Sequence, residues 1–177
     1  MSKTTNSKFN DLIVKFTPNK KTKGHYKKNT FNYGGKVKKV GEYNKLNLEA
    51  YDEVKPYLKG CKVALDIGAR WGEWTRLLQK DFKHIYCFEP IRKRNQLINE
   101  NCVTDNVTLY SCCLGEKIEN VDMHGGCIFN RDLKGMEKKA SRVNKISTQQ
   151  SIRLDDLNIN GVDFIKIDVE GYELPVI

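Results

Sequence analysis

Three acidic residues of this sequence lie at or near the ends of apolar runs, where they could bind a ligand. Asp66 is followed by a loop with Gly68 and Gly72, and Glu89 and Asp168 end two later runs. Apolar runs without polar alternation are typical of strands buried on both faces of a parallel sheet. Ligands bind beyond the carboxyl ends of such strands. We therefore predict that these acids border one crevice.

The glycine loop favours a cofactor without phosphates. A dinucleotide fingerprint requires G-x-G-x-x-G, whereas here only Gly68 and Gly72 are present, with three larger residues between them. S-adenosylmethionine joins adenosine through a sulfonium to an amino acid, so Asp66 could meet its ammonium group directly or through water. Glu89 could accept hydrogen bonds from ribose hydroxyls. The alternative interpretation is a tight strand-to-helix turn and a surface carboxylate.

A second charged group, Lys166, Asp168 and Glu170, lies at the end of the last apolar run. Strand alternation predicts that the three side chains share one face. Charges in an otherwise apolar strand are costly unless they are paired or functional. Both interpretations, an ion-paired strand end and a reaction site, stay open from spacing alone.

Alternating strands and helices position these residues. The spacing predicts compact β-α-β units with right-handed crossovers. Residues 116–150, which include His124, show no clear periodicity and are interpreted as a hairpin plus a loop. The predicted strands are 12–16, 63–67, 84–88, 107–113 and 162–169, and the predicted helices are 46–58, 72–80 and 93–101.

Composition indicates a soluble globular protein. The 177 residues suffice for one domain with a sizeable core, and 39% of them are hydrophobic and 30% charged. No apolar run approaches the roughly 18 residues of a membrane span, and the first residues lack the apolar core of a secretory signal. We expect a cytoplasmic protein without a membrane partner. None of its six cysteines belongs to a C-x-x-C pair, and we expect them to be reduced thiols that pack as small hydrophobes.

The basic charge belongs to residues 1–45, which hold 12 lysines against two acids. Lysines interleaved with aromatics could track phosphates and stack on bases, as in an RNA-binding arm. The alternative is a solvated extension that packs a few aromatic residues onto the domain. We favour the extension because the segment has no arginine cluster or RNA-binding motif.

Four stretches together resemble the FkbM family of S-adenosylmethionine-dependent methyltransferases. The resemblance covers residues 46–177, which we assign to the methyltransferase domain, and leaves 1–45 as a basic extension. It implies an α/β, class I methyltransferase (Rossmann-like) fold with a doubly wound, mostly parallel sheet. It also implies methyl transfer to an oxygen of a sugar or small-molecule hydroxyl. The stretches are Asp66–Thr75, Phe88–Pro90, Leu154–Leu157 and Ile165–Glu173.

The resemblance also implies roles for individual residues. Asp168 would lie beside the methyl group, and Asp168 or Glu170 would take the proton of the acceptor hydroxyl. Lys166 would favour the ionised carboxylates. Metal assistance by these acids stays open, but the spacing does not imply it. Arg70 stands where many members carry Asn. Glu89 would hold the ribose, and the methionine part of the cofactor would be lined by Asp66, Gly68, Ala69 and Gly72.

The sequence ends just after 162–169, the fourth predicted strand counted from 63–67, whereas a class I methyltransferase has seven. We expect an N-terminal fragment or a naturally truncated form. The edge of strand four would then be bare, unless another copy in a homo-oligomer or the N-terminal segment covers it. Two other functions stay open. One is a non-catalytic cofactor-binding module of the same fold, and the other is an RNA methyltransferase guided by residues 1–45.

Overall fold

The computed structural model of this chain describes residues 7–16, 30–39, 45–102, 105–124, 127–128 and 146–177. The helices are α1 (Lys45–Val54), α2 (Glu73–Leu78), α3 (Arg92–Asn101) and α4 (Glu173–Val176), with short 3-10 helices at Ser7–Leu12, Lys55–Tyr57 and Leu154–Leu157. The strands are β1 (Thr30–Tyr33), β2 (Lys36–Lys39), β3 (Val63–Ile67), β4 (His84–Phe88), β5 (Val107–Tyr110), β6 (Cys113–Leu114), β7 (Glu119–His124), β8 (Cys127–Ile128), β9 (Ile146–Ile152) and β10 (Val162–Ile167).

A four-stranded parallel sheet, in the order β10-β3-β4-β5, forms the centre of the fold. The first two of its strands in the chain, β3 and β4, have the bounds that the sequence predicts. The register places Lys166 of β10 directly opposite Asp66 of β3. The predicted mixed α/β class with a parallel sheet is confirmed.

Each face of this sheet is covered by its own apolar core. On one face Ala64 and Ile85 pack with Leu78 of α2 and Ile98 of α3. On the other face the strand residues Leu65, Ile67, Phe88 and Tyr110 pack with Phe9, Cys112, Leu114, Ile152, Leu157 and Val176. Successive strand residues point to opposite faces, so Asp66 lies on the helix side, beside α2.

Two predicted strands end earlier than expected. The strand predicted at 107–113 stops at Tyr110, because the amide of Ser111 donates to the carbonyl of Leu12 (2.8 Å) and the chain then enters another sheet. The strand predicted at 162–169 stops at Ile167. The amide of Asp168 still donates to the carbonyl of Ile67 (3.1 Å), but Glu170 has φ of 59° and leaves the strand conformation.

A second sheet, in the order β6-β9-β7-β8, accounts for part of the stretch that the sequence leaves without periodicity. Strands β7 and β8 are antiparallel, which agrees with the predicted hairpin. The backbone of His124 ends β7. The predicted loop falls largely on residues 129–145, outside the described residues.

The described parts of the N-terminal segment lie against the domain. Instead of a strand at 12–16, a 3-10 helix ends at Leu12 and Ile13 makes a single antiparallel bridge with Tyr110. This segment therefore borders β5, at the opposite edge of the sheet from β10. The hairpin of β1 and β2 packs on α3 through hydrogen bonds between Asn32 and Asn101. Its placement agrees with an extension that packs aromatics onto the domain, and the boundary at residue 45 stays a prediction.

Among the side chains that the structure describes, five of the six cysteines are free thiols, as predicted: Cys61, Cys87, Cys102, Cys112 and Cys113. Burial raises the pKa of the Cys113 thiol to about 12 and raises the pKa of Cys87 and Cys112 well above the ordinary range. Such thiols pack as small hydrophobes. Within the described chain, no helix has the length and apolar character needed to cross a membrane.

Candidate functional site

A cleft of about 200 Å³ opens at the carboxyl ends of the parallel strands. Three of its walls come from the ends of β3, β4 and β10 and the segments that follow them, and the remaining one comes from Cys112 and from β6 and β7 of the second sheet. The sequence prediction of one crevice at these strand ends agrees with this position. The polar and charged side chains of the lining belong to Arg70, Glu89, Arg94, Asp168 and Glu170, and Gly68, Phe88, Cys112 and Leu114 also line it.

Asp66 lies behind the cleft and does not line it. Its side chain is 0% exposed. Thr75 of α2 donates its hydroxyl to Oδ2 (2.7 Å), and the ammonium of Lys166 lies 3.2 Å from Oδ1. The cation that this carboxylate contacts is therefore part of the protein itself.

Lys166 connects the loop after β3 to β10. Its Nζ donates to the carbonyl of Gly68 (2.8 Å) and lies 3.4 Å from the carbonyl of Ile67. Asp168 is a weaker partner, because its Oδ2 is 3.9 Å from the ammonium and its side chain is 67% exposed. The lysine thus holds two walls of the cleft together from behind, and it is not itself among the residues that line the cleft.

The two glycines of the loop have different surroundings. Gly68 has φ of 76°, and a Cβ there would lie 2.0 Å from the carbonyl oxygen of Asp168. Gly72 has φ of 84° and approaches Cys102, the residue that follows α3, on the helix side. Ala69 is 3% exposed and belongs to the same helix-side core. Of the predicted methionine-lining residues, only Gly68 reaches the cleft, while Ala69 and Gly72 shape the turn into α2.

Glu89 is almost fully buried at the inner end of the cleft, with 1% exposure. Its Oε2 accepts the amide of Arg70 and its Oε1 accepts the amide of Ile91, each at 2.9 Å. Burial raises the pKa of this carboxyl, and the guanidinium of Arg94, 3.6 Å away, together with the two amides opposes that rise. A carboxylate oxygen has two lone pairs, so each oxygen can accept one further hydrogen bond.

Asp168 and Glu170 both line the cleft, but they are not successive residues on one strand face. The alternation prediction is wrong for Glu170, because β10 ends at Ile167 and Glu170 adopts the left-handed conformation in the following loop. Glu173 fixes that loop by accepting the amides of Val169 (3.1 Å) and Gly171 (3.2 Å). Hydrogen bonds from its own amide and that of Gly171 hold the pKa of Glu173 below its usual value.

Sequence reasoning missed several residues of this site. Arg94 and Glu173 touch site residues only after the helices that carry them are formed. Glu73 lies within the stretch Asp66–Thr75 that carries the resemblance, and no role is predicted for it. Burial raises its pKa, and the charges of Arg70 and Lys166 act in the opposite direction. Within the described chain, no three His, Cys, Asp or Glu side chains are grouped so that they could hold a metal ion.

A parallel sheet flanked by helices, with a glycine turn at the carboxyl end of its first strand, is typical of a Rossmann-like α/β fold. The family model described as the methyltransferase FkbM domain matches residues 66–177, which is more than half of the chain. The chain therefore belongs to the FkbM methyltransferase family.

Among solved structures, the chain is similar to methyltransferase FkbM from Methylobacillus flagellatus KT. The two share 19% sequence identity with a TM-score of 0.43, and the match covers 65% of this chain. It spans 28% of the length of that protein. No curated protein matches the chain.

Proposed function

We propose that this domain binds S-adenosylmethionine in the cleft and transfers its methyl group to a hydroxyl oxygen of a sugar or small molecule. The observation that carries the proposal is that Gly68, Glu89 and Asp168, at the carboxyl ends of three neighbouring strands, line one cleft. Membership of the FkbM family supports methyl transfer as the reaction.

The residues of the cleft fit the chemical groups of this cofactor. The carboxylate of Glu89 retains acceptor positions on both oxygens, which suits the two cis hydroxyls of a ribose. Cys112 and Leu114, after the third strand of the sheet, supply apolar surface for a base. Gly68 has no side chain, and the loop after β3 can therefore lie directly against the backbone of Asp168, after β10, at this wall of the cleft.

The protein's part in the reaction is to orient groups and to accept a proton. The bound cofactor supplies an electrophilic methyl group on a sulfonium, so alignment of the acceptor oxygen accounts for much of the acceleration. Asp168 and Glu170 are the carboxylates at the open side of the cleft, and either can accept the proton of the hydroxyl. Lys166 fixes the carbonyl of Gly68, and Glu173 fixes the loop that carries Glu170.

Calorimetry on the full chain with S-adenosylmethionine and S-adenosylhomocysteine tests the first half of this proposal. We expect both ligands to bind, and we expect Glu89→Gln to weaken both by roughly tenfold, because one charge-assisted acceptor is lost. Glu49→Gln is the matched control, since Glu49 is an exposed acid on α1, away from the cleft. The absence of binding to the unmodified chain would refute the proposal.

A labelled-methyl assay over sugar, small-hydroxyl and RNA acceptors tests the second half. Transfer to a sugar or small hydroxyl, abolished by Asp168→Asn or Glu170→Gln, would support the proposal. Cofactor binding without transfer to any acceptor would refute the enzymatic role of this chain and leave a cofactor-binding module. Transfer to RNA alone, lost on deletion of residues 1–45, would assign the acceptor class differently.

A further inference from the structure

The hairpin of β1 and β2 lies outside residues 66–177, which match the family model, and yet it contacts the loop that follows β3. Gly34 belongs to the turn of the hairpin, and a Cβ there would lie 3.2 Å from the ring of Trp71. Tyr33 packs edge-on against the same ring, with 6.0 Å between the ring centroids. The indole of Trp71 is therefore packed against the hairpin.

Asn101, the last residue of α3, joins the hairpin to the same loop by hydrogen bonds. The residue is 0% exposed. Its Nδ2 donates to the carbonyl of Trp71 (2.9 Å) and to the carbonyl of Asn32 (3.0 Å), and its Oδ1 accepts the amide of Asn32 (2.8 Å). Both N–H groups and the oxygen of this side-chain amide are thus used. Because leaving a buried polar group without a partner is costly, these bonds fix the backbone of Trp71 relative to β1.

Trp71 connects the hairpin to the cleft through Arg70, which lines the cleft. The guanidinium of Arg70 lies 4.1 Å from the centroid of the Trp71 ring, and the amide of Arg70 donates to the carboxylate of Glu89 (2.9 Å). The backbone of Arg70 has φ of 54°, which is uncommon for a residue other than glycine. Such a conformation persists only where the surrounding structure holds it. The contacts of Trp71 with the hairpin are part of that surrounding structure.

We propose that the hairpin of β1 and β2 is a positioning element of the cleft, and that Asn101 and Trp71 are the positioning residues through which it acts. The hairpin holds residues 70–72 in the conformation that directs the amide of Arg70 to Glu89. Ligand affinity therefore depends on residues 30–39. This inference rests on the proposed function, and it gives part of the N-terminal extension a role that requires no nucleic acid.

The two glycines of the hairpin turn allow this role to be separated from the stability of the hairpin. Both have positive φ, 61° at Gly34 and 103° at Gly35, as a type I′ turn requires. Asparagine tolerates such a conformation, and Asn-Gly is a favoured pair in this turn. Gly34→Asn should therefore keep the hairpin, while its Cβ presses on the ring of Trp71. Gly35→Asn is the matched control, because a Cβ there has no atom within 4 Å.

Calorimetry on the full chain with S-adenosylhomocysteine measures the effect. We expect Gly34→Asn to weaken binding by roughly 3- to 30-fold and Gly35→Asn to change it by less than about twofold. Urea unfolding measured in parallel should show both variants folded under the conditions of the titration. Trp71→Phe, which keeps a flat ring beside Arg70, should bind more tightly than Trp71→Leu, and this pair decides the question if Gly34→Asn does not fold.

Fluorescence gives a readout that stability alone does not change. The chain has two tryptophans, so Trp71 is the remaining one in a Trp74→Phe background. There Gly34→Asn should shift the emission of Trp71 and Gly35→Asn should not. Equal affinities for the two turn variants, or for Trp71→Phe and Trp71→Leu, would overturn the inference while the proposed function stands. Failure of the unmodified chain to bind S-adenosylhomocysteine would refute the proposed function itself.

Discussion

Replacing Lys166 by methionine tests whether a buried ion pair holds the walls of the cleft together. The variant keeps the length of the side chain and leaves the carboxylate of Asp66, which is 0% exposed, without its cation at 3.2 Å. Removal of one partner from a buried pair costs about 3–5 kcal/mol, because the remaining charge is uncompensated. With a urea dependence of about 2 kcal/mol/M for a domain of this size, the unfolding midpoint should fall by about 2 M.

A double-mutant cycle in urea unfolding identifies the cause of that loss. Asp66→Asn removes the buried charge, and Thr75 can still donate to the amide oxygen, so the double variant should regain most of the lost free energy of unfolding. Lys55→Met is the matched control. Its ion pair with Asp81 (3.0 Å) involves a lysine that is 51% exposed, and we expect a loss below about 1 kcal/mol. Additive losses in the double variant would refute the reasoning.

Three further predictions concern the turn, the ribose acid and the N-terminal segment. Gly68→Ala should lower the free energy of unfolding by more than about 3 kcal/mol, because the new Cβ would lie 2.0 Å from the carbonyl oxygen of Asp168. Gly161→Ala is the matched control. Gly161 has φ of 70° and no atom within 4 Å of a new Cβ, so this variant should lose only about 1–2 kcal/mol, from backbone strain alone. Burial raises the pKa of Glu89 above its ordinary 4.5. The affinity for S-adenosylhomocysteine should therefore fall as the pH is lowered through that raised pKa, whereas the free energy of unfolding should fall as the pH rises from about 4.5 through it. Both pH dependences should weaken in Glu89→Gln, and an affinity that does not change with pH in calorimetry would contradict this prediction. Phe9→Ala should lower the free energy of unfolding by about 3–5 kcal/mol, because Phe9 is 2% exposed, and a loss below about 0.5 kcal/mol would show that residues 7–16 do not stabilise the domain.

The central sheet could be predicted from the sequence because its first strands are short, uninterrupted apolar runs between clear turns. The same pattern fails for β9, Ile146–Ile152, whose middle residues are all polar. That strand is defined by antiparallel pairing with β7 rather than by a buried apolar face. Pairing between distant segments is not encoded in local periodicity.

The candidate site was predictable as a set of strand ends but not as a set of facing side chains. Asp66, Ala69 and Gly72 occur in the expected order, yet all three lie on the helix side of the sheet: Asp66 contacts Thr75 of α2, Ala69 belongs to the helix-side core, and Gly72 lies against Ile98 of α3. The contact of Lys166 with Asp66 depends on the register of β10 against β3. A motif gives the order of residues, whereas the register decides which of them share a face.

Asp66 of β3 and Asp168, which follows β10, share Lys166 as an ionic partner, and their different exposure gives them different roles. Asp66 is buried and stabilises the fold through Lys166, while Asp168, 67% exposed, remains available to the cleft. Lys166 also holds the carbonyl of Gly68, so its loss should affect ligand binding even where stability is restored. In the stable double variant Asp66→Asn and Lys166→Met, we therefore expect calorimetry to give a several-fold weaker affinity for S-adenosylhomocysteine. Unmodified affinity in that variant would mean that the carbonyl of Gly68 keeps its position without the lysine, and that Lys166 serves stability alone.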